Sequence, residues 1–247
     1  MTASSEGPPK PKDPRHHAAS WYMDAASYWD GVDATVDGML GGFANLTEID
    51  CRGSLKFIEE YVKPTKALPG RAALPPRIPS SLACDCGAGI GRVSKNFLLK
   101  IFNKVDLVEQ NPKFLEKGKR MFDADGISER VDRFIAVGLQ DFSPDEGRYD
   151  LIWCQWVLGH LTDDDFIDFF KRCKNGLKPG GIIGVKENTT EASDYEVDDT
   201  DSSVTRSDEK FKELFEKAGL QILKEAKQNG FPSCLYPVRM YMLEASE

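Results

Sequence analysis

The chain has no long apolar run, no export signal and no excess of basic residues. No apolar stretch is long enough to span a bilayer, and residues 1–17 lack the apolar centre of a secretory signal. The net charge of −8 argues against nucleic acid as the main partner, because phosphate binding draws on clustered Lys and Arg. We therefore expect a protein of the nucleus and cytoplasm, without a membrane or direct nucleic acid contact. The negative charge favours a basic or cationic substrate.

Metal-binding cysteine patterns are also missing. Six cysteines occur without a Cys-x-x-Cys pair and without histidines at zinc-ligand spacing. They stand at positions 51, 84, 86, 154, 173 and 234. Cys84 and Cys86 lie two residues apart on an expected strand, so both side chains point to one face and burial explains them better than a metal does. We interpret all six as reduced core thiols and predict no metal site.

Three alternating glycines follow the strand-like stretch Leu82–Cys86. Gly87, Gly89 and Gly91 are spaced G-x-G-x-G, not G-x-G-x-x-G as in dinucleotide enzymes, and Asp85 precedes them by two residues. Glycine is needed where a nucleotide-like ligand lies against backbone, and the following helix offers unpaired N–H groups. The stretch predicts a strand, a tight turn and a helix that hold a nucleotide-type cofactor. Taken alone, it also fits a turn packed tightly for structural reasons.

Strands and helices alternate through the rest of the chain. The second strand ends at Glu109, where a carboxylate can bind both hydroxyls of a ribose. Polar turns follow later strands at 138–142 and 155–161, where open α/β sheets place their ligands. Strands are predicted over 105–108, 131–137, 149–154, 182–188, 220–226 and 235–243, with helices over 93–99, 114–122, 164–175 and 208–218. The fold class is therefore α/β with a mostly parallel sheet and an antiparallel closing pair.

The segments before the glycine loop divide by composition. Residues 1–20 are rich in Pro, Lys and Ser, which predicts a disordered tail before a single catalytic domain over 21–247. Within that domain, 21–62 reads as a helical extension, with helices at 21–29 and 54–61. Its central loop, 34–43, holds three glycines and resembles a lid. Residues 63–80 contain five prolines and predict an irregular connection.

Two polar segments lie in the C-terminal half. The stretch 191–201 carries many Asp and Glu residues without Lys or Arg, and we expect it to form a loop over the mouth of the site. Residues 202–207 are expected to cap the following helix. The stretch 177–181 is expected to be a turn feeding the fifth strand, which ends at Asn188.

Eight motifs together resemble one family, the protein α-N-terminal methyltransferases of the class I S-adenosylmethionine-dependent superfamily. The motifs are Tyr28-Trp29, TVDGMLGG (35–42), DCGAGIGR (85–92), GLQDF (138–142), QWVLGHL (155–161), LKPGG (177–181), KEN (186–188) and DDTDSSVTR (198–206). Those enzymes methylate the α-amino group of proteins whose exposed terminus begins Xaa-Pro-Lys, and the resemblance runs from about Trp21 to the C-terminus. It implies a Rossmann-like fold with a mostly parallel seven-stranded sheet, helices on both faces and an N-terminal helical extension. Two departures are Glu109, where the family usually shows Asp, and the long connection 63–80.

The resemblance also implies a cofactor and a set of site residues. The cofactor is S-adenosylmethionine, with S-adenosylhomocysteine as product, bound above strands one and four with Arg92 at its carboxylate. Its expected contacts are Trp29, Gly87, Gly89, Arg92, Glu109, Leu139, Gln140 and Gln155. The substrate terminus is expected against Tyr28, Leu40, Trp156, Asn188, Asp198, Asp201 and Ser203. The catalytic residues are His160 and Asp201, which handle the proton, together with Asn188.

Simpler interpretations of the same residues stay open at this point. His160 fits a histidine bonded to backbone at a helix start, Trp156 fits ordinary packing, and the acidic stretch fits a solvated surface. A methyltransferase for small amines would share the cofactor half of the site. A cofactor-fold protein without catalysis would differ by lacking His160 and the aspartates, which are present.

Overall fold

A computed structural model describes residues 18–66, 72–192 and 194–246 of the chain. The helices are α1 (Ala18–Asp30), α2 (Val36–Met39), α3 (Thr47–Val62), α4 (Arg92–Asn96), α5 (Pro112–Ala124), α6 (Asp163–Gly176) and α7 (Asp208–Lys217). The strands are β1 (Leu82–Cys86), β2 (Lys104–Glu109), β3 (Val131–Ala136), β4 (Tyr149–Gln155), β5 (Leu177–Asn188), β6 (Tyr195–Asp198), β7 (Ser203–Arg206), β8 (Leu220–Lys227) and β9 (Val238–Ala245).

The central sheet has seven strands in the order β3-β2-β1-β4-β5-β9-β8. The first five pair in parallel, whereas β9 runs antiparallel to both β5 and β8. The strand order reverses between β1 and β4, and at such a point an open α/β sheet leaves a crevice beyond the carboxyl ends of its strands. The predicted mostly parallel seven-stranded sheet is confirmed.

Helices cover both faces of the sheet because its central strands are apolar on both sides. Every residue of β4 is buried, as is typical of strands in parallel sheets. On one face, the phenylalanines of α6 and α7 pack against β4 and β5. On the other face, Phe57 of α3, Phe97 beside α4 and Phe122 of α5 pack against β1 and β2. This arrangement fixes the strand ends that carry the site.

Four local predictions are wrong or need new boundaries. The acidic stretch is largely a β-hairpin, β6 with β7, because Val197 pairs with Val204 and the latter is buried in the protein. Of the expected capping segment only Ser207 caps α7, since 203–206 form β7. The expected turn at 177–181 is the irregular start of β5, where the register with β4 shifts. The lid-like loop contains the short helix α2, capped by Thr35.

The predicted tail and proline-rich connection fall partly outside the described residues. Of residues 1–20, the last three begin α1, and 1–17 lie outside. The connection over 63–80 has no helix or strand in its described parts, 63–66 and 72–80. Five of the six cysteines are buried and free, whereas Cys234 is exposed, so the interpretation of all six as core thiols is wrong for Cys234. Cys84 and Cys86 do share a face, with their sulfurs 3.7 Å apart.

Candidate active site

A cavity lies beyond the carboxyl ends of β1, β2 and β4. We call it the cofactor cavity. All eight residues predicted to bind the cofactor line it: Trp29, Gly87, Gly89, Arg92, Glu109, Leu139, Gln140 and Gln155. Helix α1 contributes Tyr22 and Ala25 to the wall as well. The structure therefore brings together residues that are up to 126 positions apart, from Trp29 to Gln155.

The glycine loop forms the floor of this cavity. Gly87 and Gly89 adopt positive φ angles of 73° and 55°, which favour glycine. A Cβ on Gly87 would lie 2.4 Å from a methyl of Val157, so the backbone approaches its neighbour closely there. Glu109 accepts the backbone N–H of Gly89 at 2.9 Å, which fixes the carboxylate at the edge of the cradle. Burial raises the pKa of Glu109, and hydrogen bonds from the backbone N–H groups of Gly89, Gln110 and Asn111 oppose the rise.

Asp85, the acid that precedes the glycines, has a supporting role. Its carboxylate is buried and accepts both the N–H and the hydroxyl of Ser94, at 3.0 and 2.6 Å, and so joins β1 to α4. Burial raises the pKa of Asp85 to about 6. Asp85 does not line either cavity, so it stabilises the loop from behind.

A second, more open cavity adjoins the first, and we call it the peptide cavity. It is lined by five of the predicted substrate residues: Leu40, Trp156, Asn188, Asp201 and Ser203. The structure does not bring Tyr28 and Asp198 into this lining. Tyr28 is an exposed residue edge-on to Trp29, and Asp198 is exposed in the hairpin, where it caps Thr200.

Four residues line both cavities and form a neck between them: Trp29, Met39, Trp156 and His160. A group held in one cavity therefore faces a group held in the other across these four side chains. Met39 ends α2 and reaches the glycine loop, since a Cβ on Gly89 would lie 2.7 Å from its sulfur. This geometry suits transfer of a small group between two ligands that approach from opposite sides.

Both ring nitrogens of His160 are engaged in hydrogen bonds. Nε2 accepts the indole N–H of Trp29 at 3.0 Å, and Nδ1 lies 3.1 Å from the carbonyl oxygen of Ser202. Because a carbonyl only accepts, Nδ1 carries the proton and the ring is the neutral Nδ1–H tautomer. Burial lowers the pKa of His160 and the nearby Asp201 opposes this effect, so the neutral ring is favoured. The backbone of His160 also anchors α1, because its carbonyl accepts the indole N–H of Trp21 at 2.7 Å.

Two buried polar atoms at the neck and in the peptide cavity have no hydrogen-bond partner among the described residues. One is Oδ1 of Asp201 and the other is Nε1 of Trp156. Buried polar atoms are nearly always paired, so an orphaned carboxylate oxygen marks the place of a missing donor. Trp156 itself adopts a positive φ of 53°, which is rare for a bulky residue and typical of functional sites.

Two buried charged residues hold the turn that carries Trp156 and His160. Glu187 accepts the backbone N–H groups of Val157 and Leu158, both at 2.9 Å, and burial raises its pKa to about 7. Arg206 of β7 is fully buried and donates to the carbonyls of Leu158 and Leu161, at 2.8 and 2.6 Å. The turn is therefore fixed relative to both β5 and the hairpin that bears Asp201.

Sequence reasoning missed several residues of these cavities. Met39 lies beside Leu40 in the motif TVDGMLGG (35–42), but no role was predicted for it. The wall of the peptide cavity includes Phe231, Leu235 and Tyr236 from the segment between β8 and β9, for which no function was predicted. Tyr236 donates to Glu196 at 2.7 Å and so ties this segment to the hairpin. In the sequence, the only sign of this role is that aromatic residues, Phe231 and Tyr236, follow Gly230 in the segment.

The described ranges contain neither a cluster of metal ligands nor a membrane-spanning helix. Among residues 18–66, 72–192 and 194–246, no three His, Cys, Asp or Glu side chains are arranged to hold a metal ion. No helix in that part of the chain is long and apolar enough to cross a bilayer. The expected location in nucleus and cytoplasm and the expected lack of nucleic acid contact stay predictions.

The sheet topology, the glycine loop and the paired cavities define a class I S-adenosylmethionine-dependent methyltransferase. The chain belongs to the family of AdoMet-dependent proline di-methyltransferases, whose sequence model matches residues 17–244.

Individual relatives agree with this family. The chain is 49% identical over 227 residues to an alpha N-terminal protein methyltransferase 1 from Dictyostelium discoideum, covering 91% of this chain and 79% of the relative. It is 43% identical to an N-terminal Xaa-Pro-Lys N-methyltransferase 1 from Xenopus tropicalis, covering 89% of this chain and 93% of the relative. Among solved structures, a SAM-dependent methyltransferase from Leishmania major superposes with a TM-score of 0.79 at 39% identity, over 94% of this chain and 87% of that one.

A more distant structure shares the fold. The 1,6-didemethyltoxoflavin-N1-methyltransferase from Burkholderia thailandensis, solved with S-adenosylhomocysteine, superposes with a TM-score of 0.67 at 16% identity. The match covers 100% of this chain and 99% of that one. At this identity the likeness concerns the fold alone.

Proposed function

We propose that this protein methylates the α-amino group of proteins whose exposed terminus begins Xaa-Pro-Lys. The observation that carries the proposal is the orphaned, buried Oδ1 of Asp201, a residue of the peptide cavity, which shares the four neck residues with the cofactor cavity. An amine with its own N–H donors is the group that this oxygen lacks. The names of the relatives from Dictyostelium and Xenopus support the same substrate class.

The cofactor cavity fits S-adenosylmethionine, which supplies an electrophilic methyl group. Backbone at Gly87 and Gly89 gives the close approach, and Glu109 lies at the end of β2, where it can accept both ribose hydroxyls. Arg92 presents a guanidinium for the cofactor carboxylate, and Leu139 with Gln140 borders the adenine side after β3. The carboxyl ends of β1, β2 and β3, together with Arg92 of α4, would thereby hold one elongated ligand.

The proton of the substrate is handled at the neck. An α-amino group has a pKa of about 7.7–8.0, so at neutral pH it must lose a proton before its lone pair can attack. Asp201 accepts a hydrogen bond from the incoming ammonium, while Asn188 at the end of β5 offers an amide to the peptide backbone. Neutral His160 takes the proton once Nε2 is released by Trp29. In-line displacement then needs positioning more than further acid–base help.

Specificity comes from the walls of the peptide cavity. A proline at the second position suits the aromatic ring of Trp156, and its fixed φ lowers the entropy lost on binding. The third side chain points towards the hairpin, where Asp201 and the more distant Asp198 attract a cation. A lysine or arginine there is therefore favoured over neutral or acidic side chains.

The test compares methylation of Xaa-Pro-Lys, Xaa-Pro-Gln and Xaa-Pro-Glu peptides by mass spectrometry, with an N-acetylated Xaa-Pro-Lys peptide as the control for lysine side-chain methylation. We expect kcat/KM to fall in the order Lys, Gln, Glu, with no product from the acetylated peptide. Asp201→Asn with His160→Ala should slow turnover by roughly 10²–10⁴ and leave cofactor binding intact. Equal efficiency on all three peptides would contradict the specificity, and an unchanged pH profile in the double variant would contradict the proton role.

The alternative is a methyltransferase for small amines, which would use the same cofactor cavity. The peptide cavity argues against it, because its lining extends from α2 to the segment between β8 and β9 and so offers contacts beyond those to a single amino group. A panel of free amines tested beside the peptides separates the two functions. Turnover on free amines and none on peptides would establish the alternative.

A further inference from the structure

Asp50 of α3 is a buried carboxylate at the centre of a charged network. Its side chain is fully buried, and its oxygens accept Nη1 of Arg92 at 2.6 Å and Nζ of Lys186 at 2.5 Å. The amide nitrogen of Gln155 donates to both oxygens at 2.9 Å. Four polar side chains from α3, α4, β4 and β5 thus meet in the protein interior.

The network is held together by charge balance. Burial alone would raise the pKa of Asp50, but Lys186 and Arg92 outweigh this effect and hold the pKa below its usual range. Burial lowers the pKa of Lys186, and Asp50 opposes that change. Two buried cations share one carboxylate, so Asp50 is the group that keeps both in place.

Two members of the network face the cofactor cavity. Arg92 and Gln155 line that cavity, whereas Asp50 does not. Nη1 of Arg92 donates hydrogen bonds to Asp50 and, more weakly, to the sulfur of Cys51. In the described part of the chain no atom accepts a hydrogen bond from its Nη2 or Nε. Because the guanidinium is a rigid planar fork, anchoring Nη1 restrains the direction in which Nη2 and Nε point. The guanidinium carbon of Arg92 lies 5.3 Å from the centroid of the Trp156 ring, and this contact limits the rotation of the guanidinium further.

We propose that Asp50 is a positioning residue for S-adenosylmethionine, which aims the free edge of the Arg92 fork at the carboxylate of the cofactor and orients the Gln155 amide beside it. The inference rests on the assignment of Arg92 made under the proposed function. Gln155 is fixed at both ends, because its oxygen accepts the indole N–H of Trp153 at 3.0 Å. Asp50 therefore acts on the amino-acid end of the ligand, and the adenosine end is bound independently of it.

The test uses two ligands that differ at that end. S-adenosylhomocysteine carries the amino-acid group, whereas 5′-methylthioadenosine lacks it, and calorimetry on the full chain gives both Kd values. In the wild-type protein the Kd of 5′-methylthioadenosine divided by the Kd of S-adenosylhomocysteine measures the contribution of the amino-acid end. We call this quotient the ratio. Asp50→Asn should weaken S-adenosylhomocysteine binding by about 10- to 100-fold, the value of one hydrogen bond to a charged group. Binding of 5′-methylthioadenosine should stay within about threefold of wild type.

Asp106→Asn is the matched control. Asp106 is equally buried and is paired with an arginine, Arg148, at 2.8 Å, but it lines neither cavity. The control carries the same substitution and a similar loss of a buried ion pair, so it should leave the ratio unchanged even if stability falls. Parallel weakening of both ligands in Asp50→Asn, or a wild-type protein without preference, would overturn the proposal.

Asp50→Glu covers the case in which Asp50→Asn fails to fold. It keeps the negative charge that balances Lys186 and Arg92 but moves the carboxylate by one methylene, so the fork is displaced and the ratio should still fall. An unchanged ratio in this variant overturns the proposal. The measurement needs no peptide, so it decides the role of Asp50 even if Xaa-Pro-Lys peptides prove not to be substrates.

Discussion

Replacing Trp29 by phenylalanine should raise the pKa of His160. The indole N–H donates to Nε2 at 3.0 Å, and only the neutral imidazole can accept this bond. A net hydrogen-bond contribution of about 0.5–1.5 kcal/mol corresponds to about 0.4–1.1 in pKa. The phenyl ring keeps the edge contact with Phe114, so the main change is the lost donor. The acid limb of the rate–pH profile should therefore move to higher pH by the same amount.

The assay is NMR titration of the histidine ring protons in the ligand-free protein, with His160→Gln used to assign the signal among the three histidines. Trp21→Phe is the matched control. Trp21 also belongs to α1 and also donates to His160, but to its backbone carbonyl at 2.7 Å. The control should leave the ring titration unchanged. A pKa of His160 that stays constant or falls in Trp29→Phe would refute the reasoning about the lone pair.

Gly89→Arg should abolish S-adenosylhomocysteine binding in calorimetry, because the φ of 55° disfavours any side chain and the arginine would fill the cradle. Glu187→Gln should change how stability depends on pH: with a folded pKa of about 7 and an unfolded value near 4.5, the wild-type carboxyl binds more protons when folded. The wild-type free energy of unfolding, from urea titration, should thus fall by about 1.3 kcal/mol relative to the variant between pH 6 and 8. Arg206→Met should cost about 2–6 kcal/mol of unfolding free energy, because the carbonyls of Leu158 and Leu161 lose their buried donor while Asp163 keeps only Lys210 as a partner. Arg52→Met at an exposed pair should cost below about 1 kcal/mol. Native protein should react with one equivalent of a thiol reagent, at Cys234, and bound peptide should slow this reaction.

The sheet and the cofactor half of the site could be predicted because their signals are local. A strand, alternating glycines and an acid at the end of the next strand are read within thirty residues, from Leu82 to Glu109. The role of Asp50 leaves no such signal, since its partner Gln155 is 105 positions away and an acid on an amphipathic helix is expected to face solvent. Asp198 lies outside the lining of the peptide cavity for a different reason: the acidic stretch suggested one common position, but strand alternation in β6 leaves Asp198 exposed, and its role stays a prediction.

The four-residue neck makes the two ligands neighbours in an energetic sense as well. Trp29, Met39, Trp156 and His160 belong to the walls of both cavities, so occupying one cavity changes the surface offered to the other. By linkage, the factor by which the cofactor changes peptide affinity must equal the factor by which the peptide changes cofactor affinity. Whichever ligand dissociates first therefore changes the affinity of these shared walls for the ligand that remains.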